Sequence, residues 1–315
     1  MNRKENHIPQ TLLEAVAYFA DERSAWACVV NRRWANGATC PRCASAKVHF
    51  IETRLKWRCN DCKQQFSAKT GTIFEESPIG FAKWLPAMWL IANAKNGISS
   101  CELSRALGVT QKTAWFMLHR VRLAFQNGTF EKLAGHVEAD ETFIGGKSRN
   151  KHADRRRETV KGTGGAGSGK EIVLGILERG GTVVTLHVNS TRRASLEPII
   201  RSTVEDGSRI YTDSLPSYNN LNDWYKHQCV DHAVAYVDGL IHTNGLENFW
   251  SLLKRTLRGT YVSVEPFHLF RYLDEQAWRY NLRGLTDAQR FVKVLSQVIG
   301  KRLTFDELTG KMCNA

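Results

Sequence analysis

The 315-residue chain lacks any run of residues able to span a membrane; its best apolar stretch, Leu85 to Ala94, is too short and is interrupted by Pro86 and Asn93. It also lacks an apolar core behind its basic N-terminus, MNRKENHIPQ, so no secretory signal is expected, and no oxidising compartment with it. Acids are scarce. Asp and Glu number 31 against 44 Lys and Arg, which leaves a formal charge of +13. A surplus of that size speaks of partners rather than fold, and it calls for a polyanion: a nucleic acid or an anionic membrane surface. Composition is otherwise ordinary, with 42 % hydrophobic and 24 % charged residues, which excludes a disordered chain. The length exceeds what one hydrophobic core serves, so two or more domains are expected.

What is present begins with the cysteines. Of eight, four stand as C-P-R-C (Cys40, Cys43) and, after fifteen residues, C-N-D-C (Cys59, Cys62); Cys28, Cys101, Cys229 and Cys313 stand alone. A CxxC turn brings two thiolates to one ion, and two such turns complete a tetrahedral four-thiolate zinc site. The intervening VHFIETRLKWRC alternates like short strands, so a zinc ribbon is expected, with zinc folding the module and doing no chemistry. Two disulfides fit poorly with a chain that has no export signal and lone cysteines elsewhere. A redox motif needs only one such turn. The ribbon also interleaves basic residues with Trp34, Phe50, Trp57 and Phe66. Those aromatics suit either a DNA-contacting face or a small core, and both readings stand.

Further on, Phe81 to Asn96 has the spacing of a helix. After Gly97, Ser99 or Ser100 can cap a helix running to about Leu107, Gly108 permits a tight turn, and Thr110 can cap the next helix. Ala114, Met117, Leu118 and Val121 recur at helical spacing there, leaving Gln111, Lys112, Thr113 and Arg120 outward. Two short helices about a glycine turn form a helix-turn-helix pattern, with Gln111, Lys112 and Thr113 as candidate DNA contacts.

The stretch Gly164 to Lys170 nearly spells a phosphate-binding loop, but Glu171 stands where a Ser or Thr hydroxyl is required, and no apolar strand leads into it. It reads as a loop. Before it, Lys147 to Lys161 holds seven Lys/Arg against two acids, the pattern of a solvated, mobile segment.

From His136 the pattern is three strands (HVEADETFIGG, EIVLGILE, TVVTLHVN), a helix (RASLEPIIRSTV), a fourth strand (SRIYTDS), a short fifth segment around HQCVDH, and a second helix after Thr243. That order predicts a mixed sheet flanked by helices. Asp140 lies inside the first strand and Asp213 closes the fourth. An Asp in an apolar strand is costly unless paired or bound to metal. Glu247 and Lys254, seven residues apart, share a face of the last helix, with Trp250 and Leu253 placed to pack it on the sheet. Glu247 also has a plain structural reading, as the partner of Asn244 in a capping box, and Asp213 could cap a short helix near Pro216. Asp140 has no comparably cheap explanation.

V-E-A-D-E-T-F-I-G-G-K, Y-T-D-S-L-P-S-Y and H-T-N-G-L-E-N-F-W-S-L-L-K-R resemble the three catalytic blocks of a DDE transposase, of the insertion-sequence branch with a zinc ribbon and helix-turn-helix ahead of the catalytic domain. The resemblance extends to W-A-N-G-A-T-C-P-R-C, T-G-T-I-F-E, K-N-G-I-S-S and F-R-Y-L-D-E-Q-A-W-R-Y-N-L-R, and so runs from about residue 18 to 310. It implies a ribonuclease-H-like catalytic domain over 131–310, behind a ribbon in 1–75 and a helix-turn-helix in 76–130. It further implies two Mg²⁺ held by Asp140, Asp213 and Glu247, with Asn244 the alternative third ligand, Lys254 on the DNA backbone and His242 as a supporting or structural group. The implied partners are the element's terminal inverted repeats and target DNA, bound by a homodimer or larger assembly in a prokaryotic cytoplasm at the nucleoid. Membrane binding then drops out. The same features, without catalysis, would serve an inactive relative acting as a DNA-binding regulator, and cutting without joining would make a structure-selective nuclease.

Overall fold

The structure, a computed structural model, describes residues 8–126, 131–146, 148–150, 152–162, 165–230 and 242–310. Lys147, Lys151, Gly164, Cys313 and the last two residues of HQCVDH lie outside the described residues. Two compact units are present: Met1–Gln126 with Gly284–Ala315, and Asn127–Arg283. No described helix is long and apolar enough to cross a membrane.

The first unit opens with helices α1 (Leu12–Phe19) and α2 (Glu22–Arg33), capped by the side chains of Thr11 and Asp21. An antiparallel ribbon follows, made of β1 (Val48–Ile51), β2 (Lys56–Cys59) and β3 (Gln65–Ser67). Trp57 and Phe66 are core, whereas Phe50 is exposed: Trp26 of α2 stacks on Trp57 at 5.6 Å, Trp57 stacks on Phe66 at 5.8 Å, and Trp34 meets both edge-on. Helices α3 (Phe81–Asn93), α4 (Ser100–Leu107) and α5 (Gln111–Phe125) come next. Glu22 of α2 accepts the Phe81 and Ala82 amides at 2.7 and 2.8 Å, capping α3, which has no cap of its own. The ribbon and the helices therefore fold together, across the boundary expected at 75.

The second unit is built on a five-stranded sheet of β4 (His136–Ile144), β5 (Glu171–Glu178), β6 (Val183–Val188), β7 (Arg209–Asp213) and β8 (Lys226–Val230), in the order β6-β5-β4-β7-β8. β4, β5 and β6 are antiparallel; β7 and β8 run parallel to β4, as the expected mixed sheet requires. The basic run after β4 contains a short helix, α6 (Ala153–Thr159), whose described residues are exposed, as a solvated segment requires. Helix α7 (Arg193–Thr203) covers one face, burying Leu196 and Ile200 against Val137, Ala139, Leu174 and Ile176. Helices α8 (Asn244–Thr256) and α9 (Leu269–Asn281) cover the other, where Leu246, Phe249, Trp250 and Leu253 meet Val173, Leu177 and Val183.

The chain then returns to the first unit as α10 (Asp287–Ser296) and α11 (Phe305–Thr309). Phe291 packs against Phe19 and Trp89, and the Ile73 amide bonds Val298 O at 3.2 Å. The end expected to close the catalytic domain at 310 instead completes the N-terminal core, because the apolar face of α10 (Phe291, Val294, Leu295) is buried there.

One glycine governs how α8 lies on the sheet. A Cβ at Gly175 in β5 would fall 2.5 Å from Trp250 Cζ2 and 2.9 Å from Leu246 Cδ2. Gly175→Ala is expected to cost about 1–3 kcal/mol through forced repacking. Urea unfolding with an unchanged midpoint would show that α8 does not depend on this contact.

Candidate active site and zinc centre

The four ribbon sulfurs lie within 4.8 Å of one another, with Cys40 and Cys62 at 3.6 Å and Cys43 and Cys59 at 3.5 Å. Tetrahedral thiolates about 2.3 Å from a zinc ion are about 3.8 Å apart, so the cluster fits a structural zinc. Each turn ends on a left-handed residue, Ala44 (φ 57°) and Lys63 (φ 61°), which bends the backbone so that its amides face the sulfurs. The Cys62 amide is the largest of the influences that bring the Cys59 thiol down to about 7, toward the thiolate that a metal needs. All four are free thiols, so disulfides are not the reading that fits.

The second centre forms at the join of β4 and β7. His136, Val137 and Glu138 pair in parallel with Arg209, Ile210 and Tyr211. Carried two residues further, that register faces Asp140 with Asp213. β7 ends at Asp213 while β4 continues to Ile144, so the sheet is open on that side beyond the pair. Side chains from both faces of β4 converge there: carboxylate oxygens of Asp140, Glu141 and Asp213 all lie within 4.8 Å of one another. Three hard oxygen donors at that spacing fit a divalent cation such as Mg²⁺.

Each acid is held separately. Trp250 Nε1 donates to Asp140 Oδ2 at 2.9 Å, the Leu215 amide donates to Asp213 Oδ1 at 3.2 Å, and the Tyr218 hydroxyl donates to Glu141 Oε1. Asp213 thus braces the turn before the short 3₁₀ segment Pro216–Tyr218 but does not cap it: Leu215 is the N-cap, without a side-chain capping bond. Burial, joined by the charges of Asp213 and Glu247, pushes Asp140 up to about 6 against the opposing indole hydrogen bond. Burial likewise pushes Glu141 up to about 8, with the Asp213 and Asp140 charges adding to it.

Glu247 rides on the first turn of α8, near enough for its charge to act on Asp140, but its carboxylate is outside the 4.8 Å group. The capping box with Asn244 does not form. Thr243 is the N-cap, without a side-chain bond, and Asn244 is already the first helical residue. Lys254 lies two turns on, its acidity strengthened by burial first and then by Arg258, with Asp140 acting in the opposite direction. His242 sits apart from the three acids, its carbonyl accepting from Arg179 Nη2 at 2.6 Å. Glu141 was missed by the sequence reading because pleat alternation places it on the opposite face from Asp140; only its adjacency in A-D-E-T hinted at it.

In the first unit Ser99 and Thr110 cap α4 and α5, and Gly108 takes the left-handed turn (φ 60°), as expected. Gln111 Nε2 bonds Ser100 Oγ at 2.8 Å, Lys112 Nζ lies 4.7 Å from the centre of the Phe305 ring, and the Thr113 amide is held by Thr110. Arg120 is not outward. It is 5 % exposed and donates to the Leu303 and Glu75 carbonyls, because the returning C-terminal segment covers it.

The ISXO2-like transposase domain is matched over residues 132–281, and a transposase zinc-ribbon domain over residues 20–65. An uncharacterized protein in transposable element ISH50 of Halobacterium salinarum is 27 % identical over 250 residues, which is 76 % of this chain and 84 % of that protein. An uncharacterized transposase-like protein of Haemophilus influenzae is 30 % identical over 118 residues, 37 % of this chain and 93 % of that one. The chain belongs to the ISXO2-like transposase family. No solved structure matches it. In this transposase the matched domain spans β4 to α9 and so carries the three-acid centre, while the zinc-ribbon match contains all four cysteines.

Purified transposase should carry about one zinc per chain, and Cys43→Ser should lose it together with the ordered Trp57 environment; a metal-free ribbon with fully dispersed amide resonances would exclude the site. For the acids, folding raises Asp140 to about 6 and Glu141 to about 8 from unfolded values near 4, so the metal-free protein loses stability as pH rises through that window. Asp140→Asn should therefore stabilise metal-free protein at pH 8 by about 1–3 kcal/mol, with the gain vanishing near pH 4. A loss of stability at pH 8 would contradict this electrostatic account.

Proposed function

We propose that the protein binds the ends of an insertion element and cleaves and joins DNA strands by phosphoryl transfer at Asp140, Asp213 and Glu247, with Glu141 as a further oxygen donor beside them. The observation that carries this reading is the convergence of Asp140, Glu141 and Asp213 at the open end of the β4–β7 pair. The strand order, three antiparallel strands followed by two parallel ones, supports a ribonuclease-H-like catalytic domain.

Divalent cations bound there, two in this reading, would supply positive charge to the attacking and leaving oxygens of an in-line displacement. The chain's own residues do the rest. Asp140 and Asp213 offer oxygens from two adjacent strands, so their spacing follows from sheet geometry rather than from a loop. Trp250 fixes which Asp140 oxygen remains available, since the indole occupies Oδ2. Lys254, on the same helix as Glu247, offers a point charge to the phosphate backbone. In the first step water attacks the phosphodiester at the element end and a 3′-hydroxyl leaves. In the second, that hydroxyl attacks a target phosphodiester, forming one P–O bond as another breaks, so no covalent enzyme intermediate is needed.

In the same reading α4, the Gly108 turn and α5 form a helix-turn-helix whose Gln111, Lys112 and Thr113 contact duplex DNA at the terminal repeats. Two ends must meet before joining, which calls for a dimer or larger assembly on DNA. A non-catalytic regulator would account for the charge and the ribbon. It would leave three mutually repelling, half-buried carboxylates without a use.

Incubation with an end-containing duplex, Mg²⁺ and a target plasmid separates the readings. Joined product is expected. Cleavage without joining would indicate a nuclease, and shifted but intact DNA a regulator. Asp140→Asn and Asp213→Asn should each reduce joining at least about 10³-fold, the scale of removing a central charge-stabilising group, while leaving the gel shift intact. Normal joining by either variant would refute the assignment.

A further inference from the structure

Helix α8 begins without a cap of its own, since Thr243 makes no side-chain capping hydrogen bond. Its N-terminus is satisfied from the sheet. Glu138 of β4, 1 % exposed, accepts the Leu246 amide on Oε2 at 3.0 Å. Its other oxygen accepts from Arg179 Nε at 2.8 Å, and the same guanidinium bonds the His242 carbonyl and lies over the Tyr211 ring at 4.0 Å. Gly245 leaves room for this approach: a Cβ there would come 2.7 Å from Glu138 Oε2 and 2.5 Å from Leu177 Cδ2.

Glu138 and Asp140 are two residues apart on one face of β4, a rise of about 6.7 Å. They hold Leu246 and Trp250, four residues apart on α8, a rise of about 6 Å. The helix is thus fastened to the strand at two points of nearly equal spacing, and Glu247 lies between them. We propose that Glu138, locked by Arg179, is a positioning residue that sets where Glu247 stands relative to Asp140. A carboxylate at a helix N-terminus is favoured by the helix dipole, and Arg179 offsets the cost of burying it. The inference rests on the reading of Asp140, Asp213 and Glu247 as the cation-binding acids.

The test uses the full-length chain and Mn²⁺ as the probe. Hydrogen exchange of the Leu246 amide in metal-free protein should quicken at least tenfold in Glu138→Ala and much less in Glu138→Gln, which keeps an acceptor. Mn²⁺ affinity should fall at least tenfold in Glu138→Ala, and less than twofold when the same change is made in a Glu247→Gln background. Gly245→Ala, which presses on the carboxylate without removing it, should repeat both patterns and serves if Glu138→Ala does not fold. An unchanged Leu246 exchange rate, or an equal affinity loss with and without Glu247, would overturn the positioning role. Failure of the underlying reading looks different: Asp140→Asn and Glu247→Gln would each leave Mn²⁺ affinity unchanged, and the positioning role would fall with it.

Discussion

Holding Asp140, Glu141 and Asp213 within 4.8 Å of one another, each half-buried, sets like charges against each other where water screens them incompletely, and the second unit is arranged around that cost. No single element could impose it. Asp140 and Asp213 come together because β4 and β7 are parallel neighbours in fixed register, and Glu141 joins them because β7 stops where β4 continues. Indole, amide and phenol donors each take one carboxylate oxygen, which orients the acids. The helix supplying the indole lies close only because β5 has a glycine at position 175. A register slip of one residue in β4 would turn Asp140 to the other face and disperse the whole arrangement.

The ribbon solves a different problem with similar economy of material. Three strands of three or four residues cannot bury enough apolar surface to fold alone, and they borrow Trp26 and Trp34 from the α2 segment, Trp26 stacking on Trp57 and Trp34 meeting Trp57 and Phe66 edge-on. The four thiolates then fix the two turns. Glu22 ties the same helix to α3, and Phe291 fills the space against Phe19 and Trp89. Sulfur cluster, aromatic stack and the returning helix α10 act on one core.

What could be read from the chain was local. The CxxC pairs, the capping residues Ser99 and Thr110, the Gly108 turn, the strand sequence and the packing face of α8 each announce themselves within about a dozen residues, and each is found in the fold. What could not be read depended on partners far along the chain. Arg120 looked outward by helical spacing, but Leu303 arrives to bury it. Asn244 and Glu247 had the spacing of a capping box, but Glu138, more than a hundred residues earlier, takes the Leu246 amide. Glu141 was hidden by a sound rule: alternate residues of a strand face opposite ways, and only the end of a neighbouring strand lets both meet.

The uneven charge of the chain makes sense at this scale. Among the described residues no Lys or Arg forms an ion pair with Asp140, Glu141 or Asp213. Lys254 feels the repulsion of Arg258 and Lys170 as well as the attraction of Asp140. Cations that repel one another beside acids that repel one another form two unsatisfied sets, and mutual neutralisation would have been simpler. Keeping them apart makes physical sense where a metal ion answers the acids and a phosphate backbone answers the lysines and arginines. In the proposed reaction both arrive together, and the free energy stored in the two separated sets is released on assembling metal and DNA rather than on folding.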